Sequence, residues 1–136
     1  MKIVLDSSVI IAAFAARGLC NALFESCLEN HEIILCDLIL SEVAKNLQEK
    51  IRLPDVIIQQ ILVLLKSHSK LVVPHKVDVK ACRDEKDPMV LGSAVAGKVQ
   101  YVITGDKDLL SIGEFQNIKI LNPRAFWLKM KNTAEG

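Results

Sequence analysis

Short apolar runs alternate along the chain with longer segments in which apolar residues recur every three or four positions. Continuous apolar runs are typical of strands covered on both faces of a sheet. The wider spacing is typical of amphipathic helices. The runs predict strands at residues 3–5, 32–36, 71–74, 101–104 and 118–121. The wider spacing predicts helices at residues 9–16, 22–28, 38–50, 53–65, 87–97 and 122–128.

Residues that begin or end helices support this order of elements. Asp37 and Asp87 are typical N-cap residues, and Pro88 suits the first helical position. Gly97 is typical of a helix C-terminus. Strands that alternate with helices favour an α/β fold, with a parallel sheet packed between helices. We predict one domain over residues 1–131 and a polar, disordered tail at residues 132–136.

The composition narrows the class of protein further. The 136 residues suit one domain, and the net charge of +1 shows no overall basic excess of the kind that strong phosphate binders have. The cysteines form no C-x-x-C pair, which favours buried thiols in a reducing compartment: Cys20, Cys27, Cys36 and Cys82. No signal peptide or membrane-spanning run is apparent, so we expect a cytoplasmic protein without a membrane partner.

Acidic residues follow strands or begin helices at several separate points. If the sheet is parallel, one edge of it collects four of them: Asp6, Glu42, Asp87 and Asp106. Each has a simpler interpretation as well. Asp6 and Asp87 suit helix caps, Glu42 could pair with Lys45, and Asp106 with Asp108 could cap the turn before Leu109.

Taken together, the four acids favour a shared metal site over four separate structural roles. Carboxylates that converge repel one another unless a cation or a proton joins them, and Mg²⁺ prefers carboxylate and water oxygens. Such an ion activates water and stabilises the charge that develops on a phosphate. The chain has no P-loop, G-x-S-x-G or G-x-G-x-x-G motif, and its three histidines are scattered. The pattern therefore favours divalent-metal chemistry.

Four stretches resemble the motifs of PIN-domain nucleases, in the family's order. VLDSSVI at residues 4–10 resembles the opening motif, usually VLDTNVL. SEV at residues 41–43, followed by Leu47, resembles the second motif, and RDEKDP at residues 83–88 the third. YVITGDKDLL at residues 101–110 is similar to the fourth. ILNPRAF at residues 120–126 resembles the close of the prokaryotic branch of VapC-type toxins.

The resemblance implies a three-layer α/β/α sandwich with a parallel sheet of about five strands. It also implies a Mg²⁺- or Mn²⁺-dependent endoribonuclease, the toxin of a toxin–antitoxin pair. The implied partners are RNA, an antitoxin protein and a second copy of the chain. The apolar helix around residues 57–65 offers a surface for that homodimer, although the same run also suits the core.

The resemblance also assigns roles by position. The catalytic acids would be Asp6, Glu42, Asp87 and Asp106, and the metal ligands Asp6, Asp87, Asp106 and Asp108. Thr104 and Ser8 would be auxiliary hydroxyls, and Asp84 an auxiliary acid. The register leaves Asp84 and Asp87 both open as the third acid. Asp87 is favoured because small residues follow it at 92–94.

Two further points concern RNA binding and activity. Lys86 and Lys107 flank the acids and are the predicted contacts to phosphate. Ser8 departs from the family's usual Asn, which favours an alternative in which the domain binds RNA or a protein without cutting it. A receiver-type phosphotransfer domain fits less well, because two serines follow Asp6 and residues 71–74 lead into His75 rather than an acid.

Overall fold

The computed structural model describes residues 1–78 and 86–135. Its strands are β1 Lys2–Leu5, β2 Glu32–Leu35, β3 Ser69–Leu71, β4 Tyr101–Ile103, β5 Glu114–Phe115 and β6 Ile118–Leu121. Its helices are α1 Ser7–Ala15, α2 Leu19–Asn30, α3 Asp37–Glu49, α4 Asp55–Ser67, α5 Lys86–Gly97, α6 Lys107–Ile112 and α7 Pro123–Glu135. Helix α7 continues beyond residue 131, where the sequence predicts a tail.

The strands form one sheet in the order β3-β2-β1-β4-β6-β5. All neighbours are parallel except β5 and β6, which are antiparallel. Strand β1 lies centrally, with Leu5 beside Ile103 of β4. The residues that follow these two strands, Asp6 and Thr104, therefore leave the sheet side by side at its carboxyl edge. The predicted α/β class with a central, mostly parallel sheet is confirmed.

The core contains the four central strands, β2, β1, β4 and β6, and the inner faces of the helices. Ile3, Val4 and Leu5 are all fully buried, as the continuous apolar run predicts for a strand covered on both faces. Burial of each such side chain stabilises the fold by about 1.5–3 kcal/mol. Helix α4 is amphipathic: Ile58, Ile61 and Leu65 are buried, whereas Val56 is 63% and Val63 66% exposed.

Helix α5 approaches its neighbours closely because it carries small residues. A Cβ atom at Gly92 would lie 2.1 Å from the backbone oxygen of His75, and one at Gly97 would lie 2.6 Å from the Ile34 side chain. The His75 amide donates to the Gly92 carbonyl oxygen at 3.0 Å. The close packing holds α5 against β2 and the segment after β3, and so positions the helix start that carries Asp87.

Some sequence predictions were wrong. The third strand is Ser69–Leu71, not 71–74, because the edge strand pairs with β2 through polar Ser69 and Lys70 while Val73 is 85% exposed. The N-cap of α3 is Cys36, and Asp37 lies in the first turn. Asp87 is likewise inside the first turn of α5 rather than its cap.

A sixth strand, the two-residue β5, was not predicted. It forms a hairpin with β6 through Gln116 and Asn117, which both have positive φ. Such a short strand leaves almost no periodic pattern in a sequence. No single helix within residues 1–78 and 86–135 is long and apolar enough to cross a membrane; α1 and α2 pass that test only as a pair, bent by 113°.

Candidate functional site

A cavity of about 200 Å³ opens at the carboxyl edge of the sheet. It collects residues from the end of β1, from α3, from the start of α5 and from the β4–α6 loop. Its lining is Asp6, Ser7, Ser8, Glu42, Lys86, Asp87, Val90, Gly105 and Asp106. The structure therefore brings together all four acids that the sequence places at this edge.

Asp6 is the most constrained of these acids. Its Oδ1 accepts a hydrogen bond from the Ser7 amide at 2.8 Å, which begins α1, and its Oδ2 accepts from Thr104 Oγ1 at 2.6 Å. Only 9% of the residue is exposed. Burial raises the pKa of Asp6; the Thr104 and Ser7 hydrogen bonds oppose that rise, and the Asp106 charge adds to it. Asp6 is thus both a helix cap and part of the cavity.

Thr104 connects the first acid to the last. It is fully buried, and its Oγ1 donates to Asp6 while accepting from the Asp106 amide at 2.9 Å. Asp106 in turn caps α6, since its Oδ1 accepts from the amides of Asp108 at 2.8 Å and Leu109 at 3.1 Å. Its capping role, expected from the sequence, coexists with its place in the cavity wall.

Glu42 is held by two residues from other elements. Its Oε2 accepts a hydrogen bond from Ser7 Oγ at 3.0 Å, and its Oε1 lies 3.9 Å from Lys86 Nζ. Sequence reasoning did not single out Ser7. The only available signal was its position directly after Asp6, since its partner lies 35 residues further along the chain.

Ser8 contacts the same region more loosely. Its Oγ lies 3.4 Å from Asp6 Oδ2, a long hydrogen bond, and accepts from the Gly105 amide at 3.2 Å. Ser8 therefore connects the start of α1 to the β4–α6 loop, although it has one donor where an Asn amide would have two.

The two predicted lysines differ in position. Lys86 lines the cavity beside Glu42, whereas Lys107 is exposed and is not part of the lining. Asp84 lies outside the described residues. Of the two candidates for the third acid, the structure therefore describes only Asp87, which lies in the cavity wall.

The oxygen donors suit a hard divalent cation. One carboxylate oxygen from each of Asp87, Asp106 and Asp108 lies within 4.8 Å of the other two. Ligands at about 2.1 Å from Mg²⁺ lie up to about 4.2 Å apart, so small side-chain movements would allow these three to share an ion. No described residue that lines the cavity is a histidine or cysteine, which disfavours zinc.

Not every predicted ligand belongs to that trio. Asp108 belongs to it without lining the cavity, while Asp6 and Glu42 line the cavity outside the trio. The acids are therefore arranged as this trio and two neighbours. Thr104 connects Asp6 to Asp106, and Ser7 connects Asp6 to Glu42.

Comparison with known proteins identifies the family. One chain of the crystal structure of VapBC2 from Rickettsia felis, bound to a DNA fragment from their promoter, superposes with a TM-score of 0.61 at 14% identity; the match covers 90% of this chain and 98% of that one. No curated protein matches the chain in sequence. A family model described as PIN domain matches residues 2–108. The chain therefore belongs to the PIN-domain family.

Proposed function

We propose that the protein is a metal-dependent endoribonuclease, which uses Mg²⁺ or Mn²⁺ to hydrolyse phosphodiester bonds in RNA. The observation that carries the proposal is the convergence of acids from four separate segments on one cavity: Asp6, Glu42, Asp87 and Asp106. Such acids repel one another at neutral pH, so a cation among them stabilises the arrangement. Family membership supports the nuclease role.

The residues divide the work in the proposed reaction. Asp87, Asp106 and Asp108 would hold a divalent ion between their oxygens. The ion, when bound, supplies a more acidic water and neutralises charge on the phosphate. Asp6 adds negative charge to the cavity and is kept in place by Thr104. Glu42 would orient the water or phosphate that lies between its carboxylate and the trio.

Lys86 is the proposed contact to the substrate phosphate. Lys86 lines the cavity and its side chain is half exposed, so its ammonium group can contact a phosphate at the rim while remaining near Glu42. Lys107 is exposed and is proposed as a more distant contact to the RNA backbone. Affinity for RNA should therefore fall as salt concentration rises.

Cleavage of mixed single-stranded RNAs with Mn²⁺ or Mg²⁺ tests this function. We expect Asp6→Asn and Asp106→Asn each to reduce cleavage by about 10²-fold or more, the scale of removing one preorganised charged group. Asp55→Asn is the matched control, because Asp55 is an exposed acid in the first turn of α4 and does not line the cavity. Cleavage that survives both site substitutions would overturn the proposal.

The alternative is a PIN-fold module that binds RNA or a protein without cutting. The long 3.4 Å contact from Ser8 to Asp6, where the family usually has Asn, favours it. Isothermal titration with Mn²⁺ separates the two functions, since an idle module without a working ion site would show neither ion binding nor cleavage. Ion binding with cleavage supports the nuclease.

We further propose that the protein is the toxin of a cytoplasmic toxin–antitoxin pair and forms a homodimer. The VapBC2 similarity supports a partner protein. The outward-facing Val56 and Val63 of α4 lie two turns apart on the same face of the helix and support a contact between copies, because apolar side chains that share an exposed surface are typical of interaction sites. Light scattering of the wild type and of Val63→Lys tests the dimer, and co-purification with the product of a neighbouring gene tests the antitoxin.

A further inference from the structure

Ser7 is buried and contacts two of the acids, Asp6 and Glu42. Its amide donates to Asp6 Oδ1 at 2.8 Å, while its hydroxyl points to α3 and donates to Glu42 Oε2 at 3.0 Å. The first contact belongs to the backbone, and any residue other than proline at position 7 would keep it. The second depends on the side chain, so the hydroxyl has a separate function from the cap.

Glu42 needs an external constraint to stay in the cavity. A glutamate side chain has several rotatable bonds and loses considerable rotamer freedom when it is held in one position. The Ser7 hydroxyl engages Oε2, and the remaining oxygen, Oε1, faces Lys86 at 3.9 Å. The Glu42 carboxylate is therefore oriented by a hydroxyl of α1, and its other oxygen faces the ammonium group of Lys86.

We propose that Ser7 is a positioning residue, whose hydroxyl holds the Glu42 carboxylate in the cavity and thereby prepares the site for a divalent ion. The inference rests on the proposed metal-dependent function for its consequence, but the contact itself does not. Groups that hydrogen-bond the ligands of a metal commonly change ion affinity by about 10–100-fold when they are removed. Ser7 acts through Glu42, which lies beside the trio, so we expect an effect at the lower end of that range.

Mn²⁺ titration of the full chain by calorimetry tests the consequence. We expect Ser7→Ala to weaken Mn²⁺ binding about tenfold, and Ser7→Thr, which keeps a hydroxyl, to restore it. In a Glu42→Ala background, Ser7→Ala should cause no further loss, since the residue acts through Glu42. Ser93→Ala is the matched control: Ser93 is also buried, but its hydroxyl donates to the Met89 carbonyl within α5.

Two results would overturn the positioning role. One is unchanged Mn²⁺ affinity in Ser7→Ala; the other is an equal loss in the presence and absence of the Glu42 side chain. A merely structural role for the hydroxyl would lower the melting temperature of Ser7→Ala and Ser93→Ala alike without a selective change in Mn²⁺ affinity.

Thermal unfolding in EDTA keeps the contact testable if the wild type binds no ion. Absence of Mn²⁺ binding by the wild type would remove the proposed function. The positioning contact would still be judged by the double-mutant cycle of Ser7→Ala and Glu42→Ala. A coupling of about 4 °C in melting temperature supports the contact, and additive effects overturn it.

Discussion

Gly92→Ala separates the effect of helix propensity from the effect of packing. Gly92 lies in the interior of α5, where alanine normally stabilises a helix by about 1 kcal/mol. Its position, however, is pressed against the backbone of His75, whose amide donates to the Gly92 carbonyl oxygen at 3.0 Å. Propensity and packing therefore predict opposite signs for one substitution.

The structure decides which effect is larger. The new Cβ would lie 2.1 Å from the His75 carbonyl oxygen, and Cβ atoms essentially never approach another heavy atom more closely than 3.0 Å. Backbone must therefore move by about 0.9 Å or more, because no flexible side chain is available to move instead. Overpacking of this kind costs about 1–3 kcal/mol, and a lost hydrogen bond costs about 1 kcal/mol. After the gain in propensity, we expect a net loss of about 2 kcal/mol.

Urea unfolding followed by circular dichroism measures that loss. The midpoint should fall while the denaturant dependence stays constant, since the surface exposed on unfolding is unchanged. Gly18→Ala is the control for steric clash: nothing lies within 4 Å of a Cβ there, so its loss of stability should stay near the roughly 0.5–1 kcal/mol that separates glycine from alanine at the N-cap of α2. A Gly92→Ala protein as stable as the wild type, or more stable, would refute the packing argument.

Gly92→Ala should also affect the proposed activity. Helix α5 carries Lys86 and Asp87 at its start, so a shift of the helix displaces both. Misplacement by about 1 Å can reduce a catalysed rate about 10²-fold. RNA cleavage measured at a temperature where the variant is fully folded should fall by more than twofold. Equal rates there would show that α5 absorbs the clash without moving its first turn.

Three further predictions concern buried polar groups. Thr104→Val removes the hydroxyl that donates to Asp6 and accepts from the Asp106 amide. The free energy of unfolding, measured in urea, should fall by about 3 kcal/mol. A loss under about 1 kcal/mol would contradict the importance of these two hydrogen bonds. Burial raises the pKa of Asp6 above its ordinary value of 3.8, so the folded state favours the protonated carboxyl. This preference stabilises the fold fully below pH 3.8, and the stabilisation is lost as pH rises through the raised pKa. In EDTA, Asp6→Asn should therefore gain stability relative to the wild type between pH 4 and pH 7, and a difference that does not grow would contradict this sign. Burial raises the pKa of Cys27 to about 12, so its thiol is not ionised at pH 8 and maleimide should label it only in unfolded protein. Mass spectrometry measures the labelling, and rapid labelling of folded protein would contradict the burial of Cys27.

The site shows which features can be predicted from local patterns. Asp6 and Asp106 follow apolar runs directly, and parallel strands present their carboxyl ends at one edge. The convergence of those acids on one cavity therefore follows from the order of strands and helices. Glu42 and Asp87 could be placed at the same edge because Glu42 lies in the second turn of α3 and Asp87 in the first turn of α5, and both helices are crossovers between parallel strands.

Contacts between elements could not be predicted in this way. Three features depend on the directions of side chains. They are the Ser7–Glu42 hydrogen bond, the presence of Lys86 rather than Lys107 in the cavity lining, and the trio that includes Asp108. Those directions are set by how α1, α3 and α5 pack. Similarly, β3 was misplaced because an edge strand is exposed, so its polarity does not follow the pattern of buried strands.

The sequence by itself determined the class of fold, the main strands and the edge of the sheet at which the acids lie. These features follow from the period of apolar residues, which reflects burial and needs no knowledge of distant partners. Tertiary structure alone decided which hydroxyls hold which carboxylates and why α5 carries glycine at position 92. Both depend on the approach of segments far apart in the chain to within a few ångströms, and no local pattern records that distance.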